Sequence, residues 1–265
     1  ILCYGLILFT VIPCIVHLIL EDETIDIKLR TFGPLSHWFI GGINYTNLLL
    51  RSRDIQYCIR HMQTDWKAVR RPEDLSVMMK YAKIGRFVAV FCAAFMQSGV
   101  LMYCIATPFI TQTIIVRNQT KIIRALPCTV YKNLIPVHTS PTYEIVLATQ
   151  FLSGFIVNSS AVGAIGIGAV FAAHACGQLT ILMTSINEFV NRPKDQKNND
   201  GFNNMGEIIE GHLKVLSFMA DIENVMTEFC FLELLKSKLD ISMLGYYIIT
   251  VCRDERCRCR VSVFL

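Results

Sequence analysis

Charge is what this chain has least of. Only 17% of its 265 residues are Asp, Glu, Lys or Arg, against about 25% in a soluble domain that must solvate its surface. That shortage excludes an ordinary water-soluble enzyme. Catalytic signatures are missing too: there is no P-loop, no GxGxxG after a strand, no GxSxG and no HExxH. The six histidines show no ligand spacing. His174 and Cys176 stand two apart, which on a helix points them away from each other. Cys252, Cys257 and Cys259 cluster in CRDERCRCR, but a fourth ligand is lacking and arginines interleave them. No metal, no cofactor and no enzymatic activity are expected. Long apolar runs exclude a disulfide-stapled secreted module despite 11 cysteines. A 53% hydrophobic composition excludes disorder.

What is present is a set of long uncharged runs. A bilayer core about 30 Å thick needs roughly 20 apolar helical residues. Residues 1–20 form one such run, without the basic n-region or cleavage site of a signal peptide. Residues 31–50 form a second, diluted by Gly33, Pro34, Gly41, Gly42 and Asn44, so a re-entrant segment is the alternative. Residues 87–116 are free of charge, and Pro108 is expected to kink or end their helix. The run 145–187 has room for two short spans, but no turn signal divides it, and one long helix leaving the membrane near His174 is expected. Within it Ser160, Ala164, Gly168, Ala172 and Cys176 recur every four residues, a stripe of small side chains suited to close helix packing in lipid. The fifth candidate, 229–251, carries Glu233, Lys236, Lys238 and Asp240 in its first half. The expected fold is all-α: a polytopic helical membrane protein with spans at about 1–20, 31–50, 87–110, 145–172 and 229–251.

Basic residues mark cytoplasmic loops. Residues 51–86 hold nine basic and four acidic residues, whereas 21–30 hold Glu21, Asp22, Glu23 and Asp26 against Lys28 and Arg30. The loops 51–86 and 174–228 are therefore expected inside, 21–30 and 111–144 outside, and the N-terminus in the cytoplasm. Asn118-Gln119-Thr120 is a glycosylation triplet in the outer loop. Ile55, Ile59, Met62, Trp66 and Val69 lie on one helix face, and Pro72, Glu73 and Asp74 resemble the first turn of another helix. Placed between spans, this basic loop reads as a positive-inside device and not as a nucleic-acid patch. Residues 191–204 are polar and read as a disordered linker. Beyond them Ile208, His212, Val215, Met219, Ile222, Met226 and Phe229 alternate by four and three. That stripe packs on the chain's own helices or on a partner subunit.

Four stretches carry a family likeness: Asp65-Trp66-Lys67, Gly85-Arg86, His174-Ala175-Cys176-Gly177-Gln178, and residues 212–250. In this order and topology the chain resembles insect odorant receptors, of the kind expanded in ants and other Hymenoptera, over about residues 1–250. The resemblance implies seven helices, a plasma-membrane location in sensory-neuron dendrites, and a cation channel gated by odorants together with a co-receptor subunit. It implies a pocket for a small volatile organic ligand in the outer half of the membrane, with lipid around it. On that basis His37, Trp38 and Phe39, then Tyr103, Thr107 and Phe109, then Tyr143, Gln150, Phe151 and Phe155 are the candidate ligand residues: aromatic walls with a few polar groups.

At both ends the chain departs from the family. It opens on Ile1, and after Thr250 the sequence VCRDERCRCRVSVFL resembles nothing in the family and reads like translated intron, an unmatched tail over 251–265. The last two helices of the family pattern, including the one that lines the pore, have no counterpart, and the polypeptide as written is not expected to conduct ions. A gustatory-type receptor or a non-conducting polytopic protein, even a pseudogene product, are the alternatives. A transporter is disfavoured because the first four runs hold no ionisable Asp, Glu, Lys or Arg.

Overall fold

The structure is a computed structural model. It describes residues 1–109, 111–116, 119–131, 135, 137, 140–191 and 197–262, with side chains described except at 26, 111–116, 119–123, 197–204 and 251–262. Among the described residues six α-helices follow in order: α1 (Leu2–Leu20), α2 (Ile25–Leu50), α3 (Ser52–Ala68), α4 (Pro72–Ala106), α5 (Thr142–Asn191) and α6 (Lys197–Ser262). Three helical segments among the described residues are long and apolar enough to cross a membrane: α1, α4 with its terminal turn, and α5. The other two expected spans lie in α2 and α6, where prolines, glycines and charged residues dilute the apolar character.

Local chemistry sets several boundaries. Pro72 occupies the first position of α4, where its missing N–H costs nothing. Glu73 and Asp74 stand in the same positive first turn. Arg71 Nε reaches Asp74 at 2.9 Å. At the other end Pro108 cannot continue the α-helix, which stops at Ala106 and tightens into a 3-10 turn over Thr107–Phe109. The uncharged run then leaves the helical state altogether. Strands β1 (Thr111–Val116) and β2 (Gln119–Arg124) pair antiparallel, from Thr111 opposite Arg124 to Val116 opposite Gln119. This hairpin was not expected from the pattern, although its β-branched threonines, isoleucines and valine favour strand. Asn118 lies outside the described residues.

The run 145–187 belongs to one uninterrupted helix of 50 residues. Of the polar linker expected at 191–204, Asn191 ends α5 and residues 197–204 belong to α6, while 192–196 lie outside the described residues. Residues after Pro193 contain no further helix breaker of that strength, and extending a nucleated helix adds one hydrogen bond per residue fixed. At its far end α6 carries on past Thr250 to Ser262.

The chain forms two compact units. Unit 1 is built from Ile1–Asn44, Gly99–Asn158 and Cys230–Leu265, and unit 2 from Tyr45–Ser98 and Ser159–Phe229. In unit 1, α2 and α5 approach so closely that a Cβ on Gly41 would fall 1.9 Å from Val157 Cγ1. In unit 2 the core gathers Ile55 and Cys58 of α3, Ala164, Phe171 and Ala175 of α5, and Phe218, Val225 and Phe229 of α6.

Both sequence stripes are displaced in the structure. On α6 the buried positions are Val215, Phe218, Val225 and Phe229, while His212 and Met219 are exposed. The stripe shares Val215 and Phe229 with the expected one but turns by one residue between them, because Phe218 buries far more apolar surface than Met219. On α5, Ser160 and Ala164 are buried but Ala172 and Cys176 are exposed. A strict period of four advances about 40° per step around a 3.6-residue helix, so the stripe winds off the packed face, which passes to Phe171 and Ala175.

Candidate functional site

In unit 1, α5 presents Gln150 and Ser153 one turn apart, on the same face. Across from them stand Thr10 on α1 and Trp38 on α2. Trp38 Nε1 donates to Ser153 Oγ at 2.9 Å, and Thr10 Oγ1 lies 2.8 Å from the same oxygen. The Gln150 amide bonds the backbone of Cys128 in both directions: its Nε2 donates to the carbonyl at 2.9 Å and its Oε1 accepts from the N–H at 3.1 Å. All of these groups are buried. Away from water an unpaired amide or hydroxyl is costly, so the layer is closed by mutual hydrogen bonds. The Trp38 ring has room because residue 154 is glycine: a Cβ there would lie 3.0 Å from Trp38 Cζ2.

Two tyrosines pin the same connecting segment. Tyr103 donates its hydroxyl to the Pro127 carbonyl at 3.0 Å, and Tyr143 donates to the Ala125 carbonyl at 3.1 Å. Thr107 turns back to the Tyr103 carbonyl at 2.7 Å, closing the last turn of its helix. Beside this layer the His37 ring meets Trp38 edge-on, centroids 5.6 Å apart.

Thus five candidate residues, Trp38, Tyr103, Thr107, Tyr143 and Gln150, hold partners within unit 1. Phe151 and His37 are half-buried, whereas Phe39, Phe109 and Phe155 are exposed. Sequence reasoning missed Thr10, Ser153 and Cys128. Ser153 had a signal, one helical turn from Gln150; Thr10 and Cys128 had none.

Unit 2 joins two of the quoted motifs. Asp65 on α3 and His174 on α5 are 109 residues apart, yet His174 Nε2 lies 2.9 Å from Asp65 Oδ2. Lys214 Nζ of α6 is 2.5 Å from Asp65 Oδ1. Only 5% of the Asp65 side chain is exposed. Burial by itself raises its pKa, but the His174 hydrogen bond and the Lys214 ammonium outweigh it and hold the carboxyl below the ordinary aspartate value. One carboxylate thus ties three helices together. Four cavities among the described residues lie in unit 2, the roomiest about 540 Å³, and none of these four is lined by a candidate ligand residue.

Membrane-length helices around closed polar layers define a polytopic helical membrane protein. A sequence profile of the 7tm odorant receptor family matches residues 28–256. The chain therefore belongs to the odorant receptor family, a family of receptors and not of enzymes. The match runs six residues into the tail expected to fall outside it. Among solved structures the fold is similar to the insect olfactory receptor OR5 from Machilis hrabei in complex with eugenol, at 16% identity and a TM-score of 0.70. The similarity covers 93% of this chain and 61% of that receptor. No curated protein sequence matches the chain.

Proposed function

We propose that the chain is an olfactory receptor subunit that binds small volatile organic ligands in unit 1 and takes part with a co-receptor in gating a cation channel. The observation that carries this reading is the convergence of Trp38, Tyr103, Tyr143 and Gln150 on one layer of fixed polar groups flanked by aromatic rings. A rigid frame of that kind holds the aromatic side chains beside it in place for a small, largely apolar ligand. Family membership supports the reading, as does the eugenol bound by the similar OR5. Among the candidates, His37, Phe39, Phe109, Phe151 and Phe155 are the side chains left to meet a ligand, and the hydrogen-bonded ones are its frame.

The topology that goes with this function has a cytoplasmic N-terminus, spans at about 1–20, 31–50, 87–110, 145–172 and 229–251, and the outer loop 111–144. The basic balance of residues 51–86 supports it. Two experiments test these readings. The receptor, expressed from its full antennal transcript together with its co-receptor, is challenged with volatile aromatics, eugenol first. Odour-evoked cation current is expected, and surface-localised protein that stays silent to every odorant overturns the gating. For the topology, the wild type is expected to shift on a gel after deglycosylation and Asn118→Gln to lose the shift. A glycan at residues 51–86 in an engineered triplet would reverse the orientation.

A further inference from the structure

The 540 Å³ cavity of unit 2 adjoins another of about 380 Å³, and the two share Met62, Trp66, Ala89 and Val170 as lining. They form one groove bounded by α3, α4 and α5. Along α5 it runs from Gly163 to Gly177, about 21 Å of helix rise, more than the roughly 15 Å of hydrocarbon in one leaflet. The stretch beside Gly163 and Gly166 is walled by apolar side chains, with Gln63 the one polar member. Toward Gly177 the wall becomes amphipathic, with Trp66, Tyr81 and Arg86.

Among the described residues Arg86 is the only Asp, Glu, Lys or Arg that lines either cavity. It is exposed and forms no ion pair or hydrogen bond among the described residues. Of the basic residues at 51–86 only two have ion-pair partners among the described residues, and of the rest Arg86 is the one that lines this groove. Arg51 pairs with Asp54 and Glu228, and Arg71 with Asp74 and Glu188. His174 lines the same wall but is taken by Asp65. So an unpaired guanidinium stands at the rim of an apolar groove, at the residue where the uncharged run of α4 begins. A guanidinium fork fits phosphate oxygens, and the hydrocarbon-lined trough fits an acyl chain.

We propose that this groove is a binding site for an anionic glycerophospholipid, with its phosphate on Arg86 and one acyl chain laid along α5 toward Gly163. The inference rests on the proposed topology, which puts Arg86 at the cytoplasmic edge of the bilayer and makes the ligand a cytoplasmic-leaflet lipid. Trp66, shared by both cavities, reports occupancy.

The full chain is purified into mixed micelles and titrated with phosphatidylserine or phosphatidylcholine carrying brominated acyl chains, while indole fluorescence is read against a Trp66→Phe control. Half-quenching is expected at a several-fold lower mole fraction of phosphatidylserine than of phosphatidylcholine. Arg86→Gln is expected to erase that preference, and Ala89→Leu, which fills the trough, to weaken quenching by both lipids. Equal quenching by the two lipids in the wild type, or quenching untouched by Ala89→Leu, overturns the site. Absence of quenching together with cross-linking of a second protein chain through a cysteine at residue 167 also overturns it, and makes the groove a protein interface. Labelling of Arg86→Cys by an impermeant maleimide tells the two readings apart. Reaction only from outside the cell discards the topology while a lipid preference in micelles stands; reaction from the cytoplasmic side without a lipid preference discards the groove alone.

Discussion

Asp65→Ala is expected to destabilise unit 2 by about 2–3 kcal/mol, read as a lower melting temperature of the purified chain. The reason is the company the carboxylate keeps. Its removal leaves His174, 6% exposed, without the group that fixes its ring, and opens a hollow between α3, α5 and α6. Lys214 contributes little to the cost, since its side chain is 45% exposed and can turn to water. Asp65→Asn keeps a hydrogen-bonding group at 2.9 Å from His174 and is expected to lose less. The pH dependence follows from the depressed pKa. A carboxyl whose pKa is lower folded than unfolded stabilises the fold above its unfolded value, and that stability disappears as pH falls through the folded value. The contribution of Asp65 is therefore expected to be level from about pH 8 to about pH 5 and to fade only below the ordinary aspartate value of 3.8. If the melting temperature of Asp65→Ala equals that of the wild type at neutral pH, the carboxylate does not hold the three helices.

Gly41→Ala is expected to do comparable damage with a single methyl. The new Cβ would sit 1.9 Å from Val157 Cγ1 and 3.1 Å from its Cβ. Val157 is 1% exposed and β-branched, so it has no free rotamer to retreat into. Overpacking of this kind costs roughly 1–3 kcal/mol or more and forces α2 and α5 apart. The readout is the fraction of protein that elutes as a single species from gel filtration, expected to collapse in Gly41→Ala and to recover in Gly41→Ala with Val157→Ala. Gly168→Ala is the control. Its Cβ would meet the terminal Cε of Met226 at 2.7 Å, but an unbranched thioether swings aside, and near wild-type behaviour is expected. Failure of Val157→Ala to rescue would show that the cost of Gly41→Ala arises elsewhere.

Much of the architecture was legible in the residues because membrane-length runs and helix ends are local properties. Residues 1–20 read as a helix because nothing interrupts their apolar character. Pro72 and Pro108 bracket α4 through a missing N–H and a fixed φ. The charge balance around residues 51–86 needs only counting. The family likeness was legible as well, and the motifs that carried it turn out to include both halves of the Asp65–His174 pair.

Other features required the tertiary structure. Residues 111–116 end an uncharged run as a strand paired with 119–124, since β-branched side chains and a paired strand compete with helix and only pairing decides between them. Whether Phe218 or Met219 faces the core of unit 2 turns on one residue of rotation, which the heptad pattern leaves degenerate and the packing of α3 and α5 resolves. The candidate ligand residues divide in the same way. Their place along the helices came from the sequence, but that Gln150 bonds Cys128, that Trp38 bonds Ser153 and that Phe39 stays exposed depends on what lies across from each. Hydrophobic periodicity reports which face of a helix avoids water. It does not report the partner on that face, because a contact between residues more than a hundred positions apart leaves no mark in either stretch of sequence alone.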